Sequence, residues 1–393
     1  MYLGIDCSTQ SMSGMLYDSQ TSKIILEISI EYKSKFPQYS FSVNPDTNEC
    51  VVNPLLWVLA LEELLSEFKK SGINFSDIKG IGGAAQQHAT VYLNRDFLKS
   101  WVWQSSLSQT VKPMISMERS PIWMDQSTSR ECEEINDALP NIDFALQNSG
   151  SLITHRFSGP QIRRFAKLFP SYYEHTSVIH LLSSFLTCLF IGRNGPIDLS
   201  DTSGMNLLNL NELTWDKILV QATESNLKNK LPKLTNGNQI AGKIAPYFVD
   251  KYGFNSETSV IYFTGDNISC SLGIGCSDPS EAILSLGTSD TMFIYKNNFN
   301  ITSKSCNTFY HPSGGYISLL CFQNGAFARE KIRKMIGCNW DEFNASLSKS
   351  KAGNNGIIQL PFFATEINPY LPQGNSFRSE ERRVGKECRS RWS

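Results

Sequence analysis

Two stretches of the sequence, about 280 residues apart, share one local plan. Residues 2–17 and residues 282–295 each contain an apolar strand, a short polar turn with Ser and Thr, and a second strand. A duplicated strand–turn–strand unit indicates two similar domains that face one cleft. Because any two hairpins share this outline, a coincidental likeness between them remains the alternative.

The segment between the two copies alternates strands with helices. The most clearly predicted helix begins near Asn53. Asn can cap the start of a helix, Pro is tolerated at the first helical position, which Pro54 would occupy, and Gly72 is a suitable end. Residues 120–260 are mostly helical. Strands followed by a helix and a further strand predict an α/β layered fold. The predicted elements are strands over residues 23–32, 78–85, 91–93 and 258–263, and helices over residues 53–72, 159–169 and 177–190.

The composition excludes several classes of protein. With 393 residues, 41% of them hydrophobic, the chain can form two or three domains with sizeable cores, which excludes disordered and small disulfide-rich classes. The 36 basic and 37 acidic side chains give a net charge of −1, so we expect no nucleic-acid and no membrane partner. The ten cysteines include no C-x-x-C pair, and no leader-like segment opens the chain, so we expect a reducing, cytoplasmic location.

The first polar turn places Ser8, Thr9 and Gln10 after a strand that ends near Asp6. Backbone N–H groups in a turn of small hydroxyl residues can hold phosphate oxygens. The carboxylate of Asp6 can bind Mg²⁺ directly or through water. The same residue types also favour ordinary hairpin turns, so that interpretation stays open.

A second polar segment, Gln86-Gln87-His88, directly follows the predicted strand 78–85. Amides and an imidazole at this place suit hydrogen bonding to a polyhydroxylated ligand, although a solvated turn with a structural histidine is the more ordinary arrangement. The glycines at residues 80–83 match a dinucleotide-binding fingerprint only superficially, because a strand rather than a helix follows them, and we reject that interpretation.

A third polar segment, Gly265-Asp266-Asn267, follows the predicted strand 258–263. Ligands of α/β folds bind at the carboxyl ends of strands, and a carboxylate there can accept the proton of an attacking hydroxyl group. The alternative is that Asp266 or Asn267 only caps the helix that follows.

Taken in order along the chain, eight segments resemble motifs of the FGGY carbohydrate kinases. Within that family, they resemble most the eukaryotic enzymes that act on xylulose. Each segment alone is weak evidence for the family, but eight segments in the family's order are specific evidence. The match runs from Met1 to about Phe377. The segments are residues 4–11, 86–88, 121–128, 156–162, 196–208, 263–267, 284–291 and 320–325.

The resemblance implies an α/β fold of two ribonuclease-H-like (actin-type) domains around a cleft. Residues 1–270 would form the N-terminal, sugar-binding domain and residues 271–377 the C-terminal, ATP-binding domain. The second domain is expected to be incomplete, because the family's glycine-rich adenosine motif has no match here. The implied enzyme transfers phosphate from ATP, with Mg²⁺, to D-xylulose and forms D-xylulose 5-phosphate.

The resemblance also implies roles for individual residues. Asp266 resembles the general base that takes the proton of the sugar hydroxyl. The implied sugar-binding positions are His88, Arg156, Asp266 and Asn267, with Gln87, Trp123 and Asp125 in the same pocket. The implied nucleotide positions are Ser8, Thr9 and Gln10 in the first phosphate motif, Gly287, Thr288 and Ser289 in the second, and Trp340 against the nucleotide, with Asp6 near Mg²⁺.

Two departures from the family pattern leave alternatives open. Ala85 and Ala89 stand where the family commonly has glycines, so another ketose or a polyol remains possible as the substrate. Residues 378–393, with six basic and three acidic groups, resemble a translated sequencing adapter, and a natural basic tail is the alternative. A non-enzymatic ATP-binding protein of the actin type and an inactive fragment are the competing functional hypotheses.

Overall fold

The structure of the chain is a computed structural model that describes residues 1–287, 290–301, 303–356, 358–360, 362–364, 366 and 377–379. The chain divides into two compact units. The first contains Met1–Asp278, Lys296–Ile301 and Thr308–Ile317, and the second contains the described residues of Pro279–Tyr295, Thr302–Asn307 and Ser318–Ser393. The predicted domain boundary between residues 270 and 271 stays a prediction.

The first unit mixes strands and helices, as the sequence predicts. Its strands are β1 (Tyr2–Cys7), β2 (Ser11–Asp18), β3 (Lys23–Glu31), β4 (Ser42–Val43), β5 (Cys50–Val52), β6 (Gly80–Ala85), β7 (Thr90–Leu93), β8 (Ser120–Pro121), β9 (Val178–Leu181), β10 (Ile197–Asp198), β11 (Leu208–Asn209), β12 (Thr214–Trp215), β13 (Leu234–Thr235), β14 (Ile240–Lys243), β15 (Ser259–Ile261) and β16 (Thr264–Gly265).

The α-helices of the first unit lie mostly between β5 and β15. They are α1 (Tyr32–Lys35), α2 (Leu55–Lys70), α3 (Leu107–Val111), α4 (Ser129–Asp137), α5 (Phe144–Ser149), α6 (Ser158–Leu168), α7 (Pro170–His175), α8 (Leu182–Ile191), α9 (Leu199–Thr202), α10 (Lys217–Thr223), α11 (Pro246–Tyr252) and α12 (Asp266–Ile274). Among the residues that the structure describes, no helix has the length and apolar character needed to cross a bilayer.

The central sheet of the first unit has the strand order β14-β15-β6-β1-β2-β3, with β16 also paired to β6. Strands β1, β2 and β3 are joined by short turns and pair antiparallel. Strand β6 instead runs parallel to β1, to β15 and to β16. Parallel neighbours need a crossover connection, and α2 lies in the segment that returns the chain from β3, at the far edge of the sheet, to β6 beside β1.

Strand β2 shows how the sequence pattern sets the core face of this sheet. Met12, Gly14 and Leu16 are buried, whereas Met15 and Tyr17 on the opposite face are exposed, as the alternation predicts. A methyl group at Gly14 would lie 2.6 Å from Phe68 Cε2, because α2 packs directly on this point of the sheet. The glycine therefore permits the close contact between helix and sheet.

The predicted helix near Asn53 is confirmed, with its start two residues later at Leu55. The Asn53 side chain accepts a hydrogen bond from the Leu55 N–H at 3.0 Å, and Pro54 is the capping residue. After the helix, Gly72 has a left-handed φ of 79°, which suits a glycine.

The predicted helix over residues 177–190 is wrong in its first residues. Val178–Leu181 form β9, which pairs antiparallel with β7, and the helix α8 begins only at Leu182. The β-branched Val178 and Ile179 fit a pleated strand, and the backbone of β7 offers them hydrogen-bond partners. This local tendency and the partner strand together outweigh the helical spacing of the segment.

The second unit begins with the second copy of the strand–turn–strand plan. Its strands β17 (Ala282–Leu286) and β18 (Asp290–Lys296) form an antiparallel hairpin, so the predicted strands are confirmed. They belong to a sheet with the order β17-β18-β20-β19. The remaining elements of the chain are β19 (Asn307–Tyr310), which lies mostly in the first unit, β20 (Tyr316–Phe322), whose first two residues lie in the first unit, and, in the second unit, α13 (Ala326–Ile336), α14 (Trp340–Lys349), β21 (Ile358–Leu360) and β22 (Phe377–Ser379).

Strand β22 reaches into the segment that resembles an adapter. Arg378 and Ser379 pair with β21, opposite Gln359 and Ile358. Residues 380–393 lie outside the described residues, so the origin of this tail stays a prediction.

Candidate active site

Three polar segments meet at one edge of the central sheet because three strands end there together. Strand β6 lies between β1 and β16, with Ala85 opposite both Cys7 and Gly265. The turn after β1, the Gln86-Gln87-His88 segment after β6 and the helix after β16 therefore begin side by side. The structure thus brings together the three candidate segments that lie in the first unit.

The turn after β1 is tied to its neighbours through Thr9. Thr9 Oγ1 donates a hydrogen bond to Gln86 Oε1 at 3.1 Å, and Trp123 Nε1 donates one to Thr9 Oγ1 at 2.8 Å. The Arg156 guanidinium lies 5.9 Å from the centre of the Trp123 ring, within range of a cation–π contact. The predicted residues Thr9, Trp123 and Arg156 thus form one connected group.

Asp6 lies at the end of β1, beside the same turn. Its Oδ2 accepts a hydrogen bond from Ser8 Oγ at 3.0 Å. Gln10 is exposed, and Ser8 and Thr9 are partly buried. Among the described residues, no three His, Cys, Asp or Glu side chains are grouped closely enough to hold a metal ion by themselves.

His88 is held in an unusual backbone conformation. Its φ of 69° is left-handed, and its ring stacks on Phe157 with the ring centres 4.5 Å apart. Nδ1 lies 2.8 Å from the Gly204 carbonyl oxygen, which can only accept, so Nδ1 carries the proton. Burial, together with the positive charge of Arg156, lowers the pKa of His88 to about 4. At neutral pH His88 is therefore uncharged, and Nε2 is a hydrogen-bond acceptor.

Asp266 is the first residue of α12, and it does not act as the cap of that helix. The capping residue is Gly265, and no side chain makes a capping hydrogen bond. Asp266 Oδ1 instead accepts hydrogen bonds from the backbone N–H of Asn267 at 2.7 Å and from Asn267 Nδ2 at 3.1 Å. The interpretation of Asp266 or Asn267 as a simple cap is therefore wrong.

Burial raises the pKa of Asp266, and repulsion from the nearby Asp6 adds to the rise. The hydrogen bond from the Asn267 N–H opposes both, and the resulting pKa is about 7. A carboxyl with this pKa changes charge near neutral pH. Such a group is suited to accept a proton from a hydroxyl group, because its basicity is higher than that of an ordinary carboxylate.

Asp125, predicted to line the sugar pocket, makes four hydrogen bonds with protein groups. Oδ2 accepts from the Cys50 N–H at 2.8 Å. Oδ1 accepts from the N–H and Oγ of Ser127 at 2.8 and 2.7 Å, and from Gln161 Nε2 at 2.9 Å. This buried carboxylate holds the loop that carries Trp123, and a direct contact of Asp125 with sugar stays a prediction.

Of the predicted nucleotide residues, Ser8, Thr9 and Gln10 lie in the first unit, whereas Gly287 and Trp340 lie in the second. The Gly287 carbonyl accepts a hydrogen bond from the Ala326 N–H at 2.9 Å, which places the β17–β18 turn beside the start of α13. Thr288 and Ser289 lie outside the described residues. Trp340 begins α14 and is half-exposed, with the Arg333 guanidinium 4.7 Å from its ring centre.

Sequence reasoning assigned no role to Asp201, although it lies in one of the eight matching segments. Its carboxyl is fully buried next to Gly265, and burial raises its pKa to about 8. A buried acid directly behind Asp266 is visible only once the segment 196–208 is folded against β16.

Comparison with known proteins identifies the family. The sequence model described as the FGGY family of carbohydrate kinases, N-terminal domain, matches residues 1–273. The chain belongs to the FGGY family of carbohydrate kinases. This result agrees with the resemblance of the eight segments to FGGY motifs. The FGGY family is a family of enzymes.

Individual FGGY relatives match most of the chain. Xylulose kinase 2 of Arabidopsis thaliana is 34% identical over 386 residues, which are 95% of this chain and 69% of the relative. Xylulose kinase of Rattus norvegicus is 33% identical over 392 residues, 97% of this chain and 73% of the relative. A ligand-bound xylulose kinase structure from Lactobacillus acidophilus superposes with a TM-score of 0.78 at 18% identity, and covers 96% of this chain and 71% of that one.

The structural likeness establishes the fold. The chain has the ribonuclease-H-like, actin-type α/β fold of the FGGY sugar kinases, as predicted.

Proposed function

We propose that this FGGY kinase transfers the γ-phosphate of ATP to the terminal hydroxyl of D-xylulose and forms D-xylulose 5-phosphate. The observation that carries the proposal is the environment of Asp266, a carboxyl with a raised pKa at the edge where β1, β6 and β16 end. Its neighbours include the hydrogen-bonding side chains that a sugar requires.

Asp266 acts as the general base in this proposal. Both hydrogen bonds from Asn267 reach Oδ1, so we assign Oδ2 to the substrate hydroxyl. As Oδ2 takes the proton, the hydroxyl oxygen forms a bond to the γ-phosphorus. The bond from that phosphorus to the bridging oxygen breaks, and ADP leaves with the electron pair.

The sugar is held by groups of different hydrogen-bonding character. His88 offers Nε2 as an acceptor for a sugar O–H, because Nδ1 is already bound to the Gly204 carbonyl. Arg156 offers only donors, and its contact with the Trp123 ring restricts where the guanidinium can lie. Acceptor and donor groups on one wall suit a polyhydroxylated ligand whose hydroxyls both donate and accept.

The phosphates and Mg²⁺ belong at the turn after β1 in this proposal. Mg²⁺ prefers oxygen ligands and usually takes one or two carboxylates together with substrate phosphates. Asp6 provides one carboxylate beside Ser8, so the donor set fits. The ion supplies positive charge to the transferring phosphoryl group, and the backbone N–H groups of residues 8–10 can donate to phosphate oxygens.

We choose xylulose over other sugars because the Arabidopsis and rat relatives are named xylulose kinases, and we choose the D form because the family resemblance implies it. We place the reaction in the cytoplasm, a reducing compartment in which unpaired thiols such as those of Cys7 and Cys188 persist. Another ketose or a polyol is the alternative substrate, since Ala85 and Ala89 replace glycines that the family commonly has.

A substrate panel tests the choice of sugar. With the protein expressed from its complete gene, sugar-dependent ADP release is measured with D-xylulose, L-xylulose, D-ribulose and glycerol. We expect the highest kcat/KM with D-xylulose. A higher value with any other member of the panel would replace D-xylulose as the substrate and leave the kinase chemistry in place.

The pH dependence tests the role of Asp266 as base. The base must be ionised, so kcat/KM is expected to rise about tenfold per pH unit at pH values below the pKa of about 7 and to level off above it. The measurement is sugar-dependent ADP release from about pH 5.5 to about pH 8.5, with the coupling enzymes in excess at each pH. A rate that is flat or falls over this range would contradict the assignment.

A further inference from the structure

A buried carboxyl lies behind the proposed base, on the short helix α9. Asp201 is 1% exposed, and its Oδ2 accepts a hydrogen bond from Ser183 Oγ at 2.5 Å. Its other oxygen, Oδ1, is buried and has no hydrogen-bond partner among the described residues. Because buried oxygens are ordinarily hydrogen-bonded, we expect a donor close to Asp201 Oδ1.

The donor that fits is the side-chain amide of Gln87, which is 4% exposed. Gln87 Oε1 accepts a hydrogen bond from Asn267 Nδ2 at 2.9 Å. Gln87 Nε2 is buried and, like Asp201 Oδ1, lacks a partner within the described part of the chain. One orphaned donor and one orphaned acceptor therefore lie in the same buried region.

Gly265 shows that these two atoms approach the same point. A methyl group at Gly265 would lie 2.7 Å from Asp201 Oδ1 and 2.9 Å from Gln87 Nε2. Only a residue without a side chain leaves this space to the amide and the carboxyl. A small rotation of either side chain would complete a hydrogen bond across the glycine.

Helix α9 is itself anchored to the strand that precedes the base. Asp198 caps α9 by accepting from the Asp201 N–H at 3.1 Å, and it also accepts from Thr264 Oγ1 at 2.6 Å. Thr264 is the residue before Gly265 on β16. The position of Asp201 is therefore fixed relative to the start of α12.

We propose that Asp201 is a positioning residue for phosphoryl transfer: its Oδ1 accepts a hydrogen bond from Gln87 Nε2, which fixes the Gln87 amide, Asn267 and finally Asp266. This inference rests on the proposed function of Asp266 as base. The chain runs from Asp201 through Gln87 Oε1 and Asn267 Nδ2 to Asp266 Oδ1, with donors and acceptors in a consistent order. It holds Asp266 Oδ1 in place, and Oδ2 stays directed at the substrate.

The electrostatics are compatible with this arrangement. Burial raises the pKa of Asp201, the charges of Asp198 and Asp266 add to the rise, and the hydrogen bond from Ser183 and the nearby Gln87 amide oppose it, so that the pKa is about 8. When Asp201 carries a proton, Oδ2 can share it with Ser183, and Oδ1 remains an acceptor. The neutral amides then connect the two acids without placing two negative charges in contact.

Variants at Asp201 test the inference by kinetics. Asp201→Ala is expected to lower kcat by more than tenfold with the KM for ATP unchanged, because the amides lose their fixed orientation. Asp201→Asn retains an acceptor oxygen and is expected to rescue kcat to within about threefold of wild type. Ser200→Ala, on the same buried helix, is the matched control and is expected to leave kcat unchanged.

A double-mutant cycle separates positioning from packing. In a Gln87→Met background the further change Asp201→Ala is expected to have little added effect on kcat, since the chain is already broken. Full additivity of the two effects, or wild-type kcat in a folded Asp201→Ala variant, would overturn the inference.

A measurement without turnover distinguishes this inference from the proposed function. Solvent exchange of the Gln87 side-chain amide protons, followed by NMR, is expected to be slow in the wild type and faster in Asp201→Ala. Unchanged exchange would overturn the Asp201 contact even if the kinase activity were present. The exchange experiment therefore tests the Asp201 contact, and the kinase assay tests the proposed function, so the failure of one can be told from the failure of the other.

Discussion

Replacing Asp266 by asparagine is expected to lower kcat for sugar phosphorylation by about 10²- to 10⁴-fold, the usual range for loss of a general base. The asparagine side chain has nearly the same shape and keeps an oxygen for the two donors of Asn267, but it cannot take the proton of the substrate hydroxyl. The sugar dissociation constant should therefore change far less than kcat. The measurements are steady-state ADP release and calorimetric binding of D-xylulose.

Asp216→Asn is the matched control for this variant. Asp216 is buried and, like Asp266, lies at a helix start, where its Oδ1 accepts hydrogen bonds from the N–H groups of Ile218 and Leu219 at 2.9 Å. Asparagine caps a helix about as well as aspartate, so kcat should stay close to wild type. Wild-type kcat in Asp266→Asn would remove Asp266 as the base.

Gly83→Ala is expected to be strongly destabilising. A methyl group at Gly83 would lie 2.4 Å from Phe263 Cε2 and 2.5 Å from the Ile5 carbonyl oxygen. The carbonyl belongs to the neighbouring strand β1 and cannot move without breaking the sheet, so the free energy of unfolding should fall by about 1–3 kcal/mol or more. The melting temperature, followed by circular dichroism, should drop by several degrees.

Gly273→Ala provides the comparison for this stability measurement. Gly273 lies inside α12, and a methyl group there meets no atom within 4 Å. Alanine in a helix is favoured over glycine by about 0.5–1 kcal/mol, so the melting temperature should stay the same or rise. Equal melting temperatures for the two variants would contradict the packing described around β6.

The core of the first unit was predictable where the hydrophobic pattern is simple. The alternation at Met12, Gly14 and Leu16 agrees with the buried face of β2, and the start and stop signals at Asn53 and Gly72 locate α2 to within two residues. Segment 178–181 was not predictable, because its strand conformation depends on pairing with β7, which is distant in sequence.

The candidate site was predictable to a different extent. Polar segments that follow strands indicate a shared edge of the sheet, and the family resemblance assigns them roles. The hydrogen bonds of Asp125 with Cys50 and Gln161 and the burial of Asp201 behind Gly265 depend on tertiary contacts that no local pattern encodes. The residues proposed to face the substrate were therefore easier to find from the sequence than the residues that support them.

The most direct test of the central claim is the identity of the phosphorus product. The protein expressed from its complete gene is incubated with ATP, Mg²⁺ and D-xylulose, and the reaction is followed by ³¹P NMR. We expect one sugar monophosphate for each ADP formed, and formation of both products at least about a hundredfold more slowly in Asp266→Asn. Formation of ADP and inorganic phosphate without a sugar phosphate would contradict this expectation, and would favour an ATP-hydrolysing protein of the actin type.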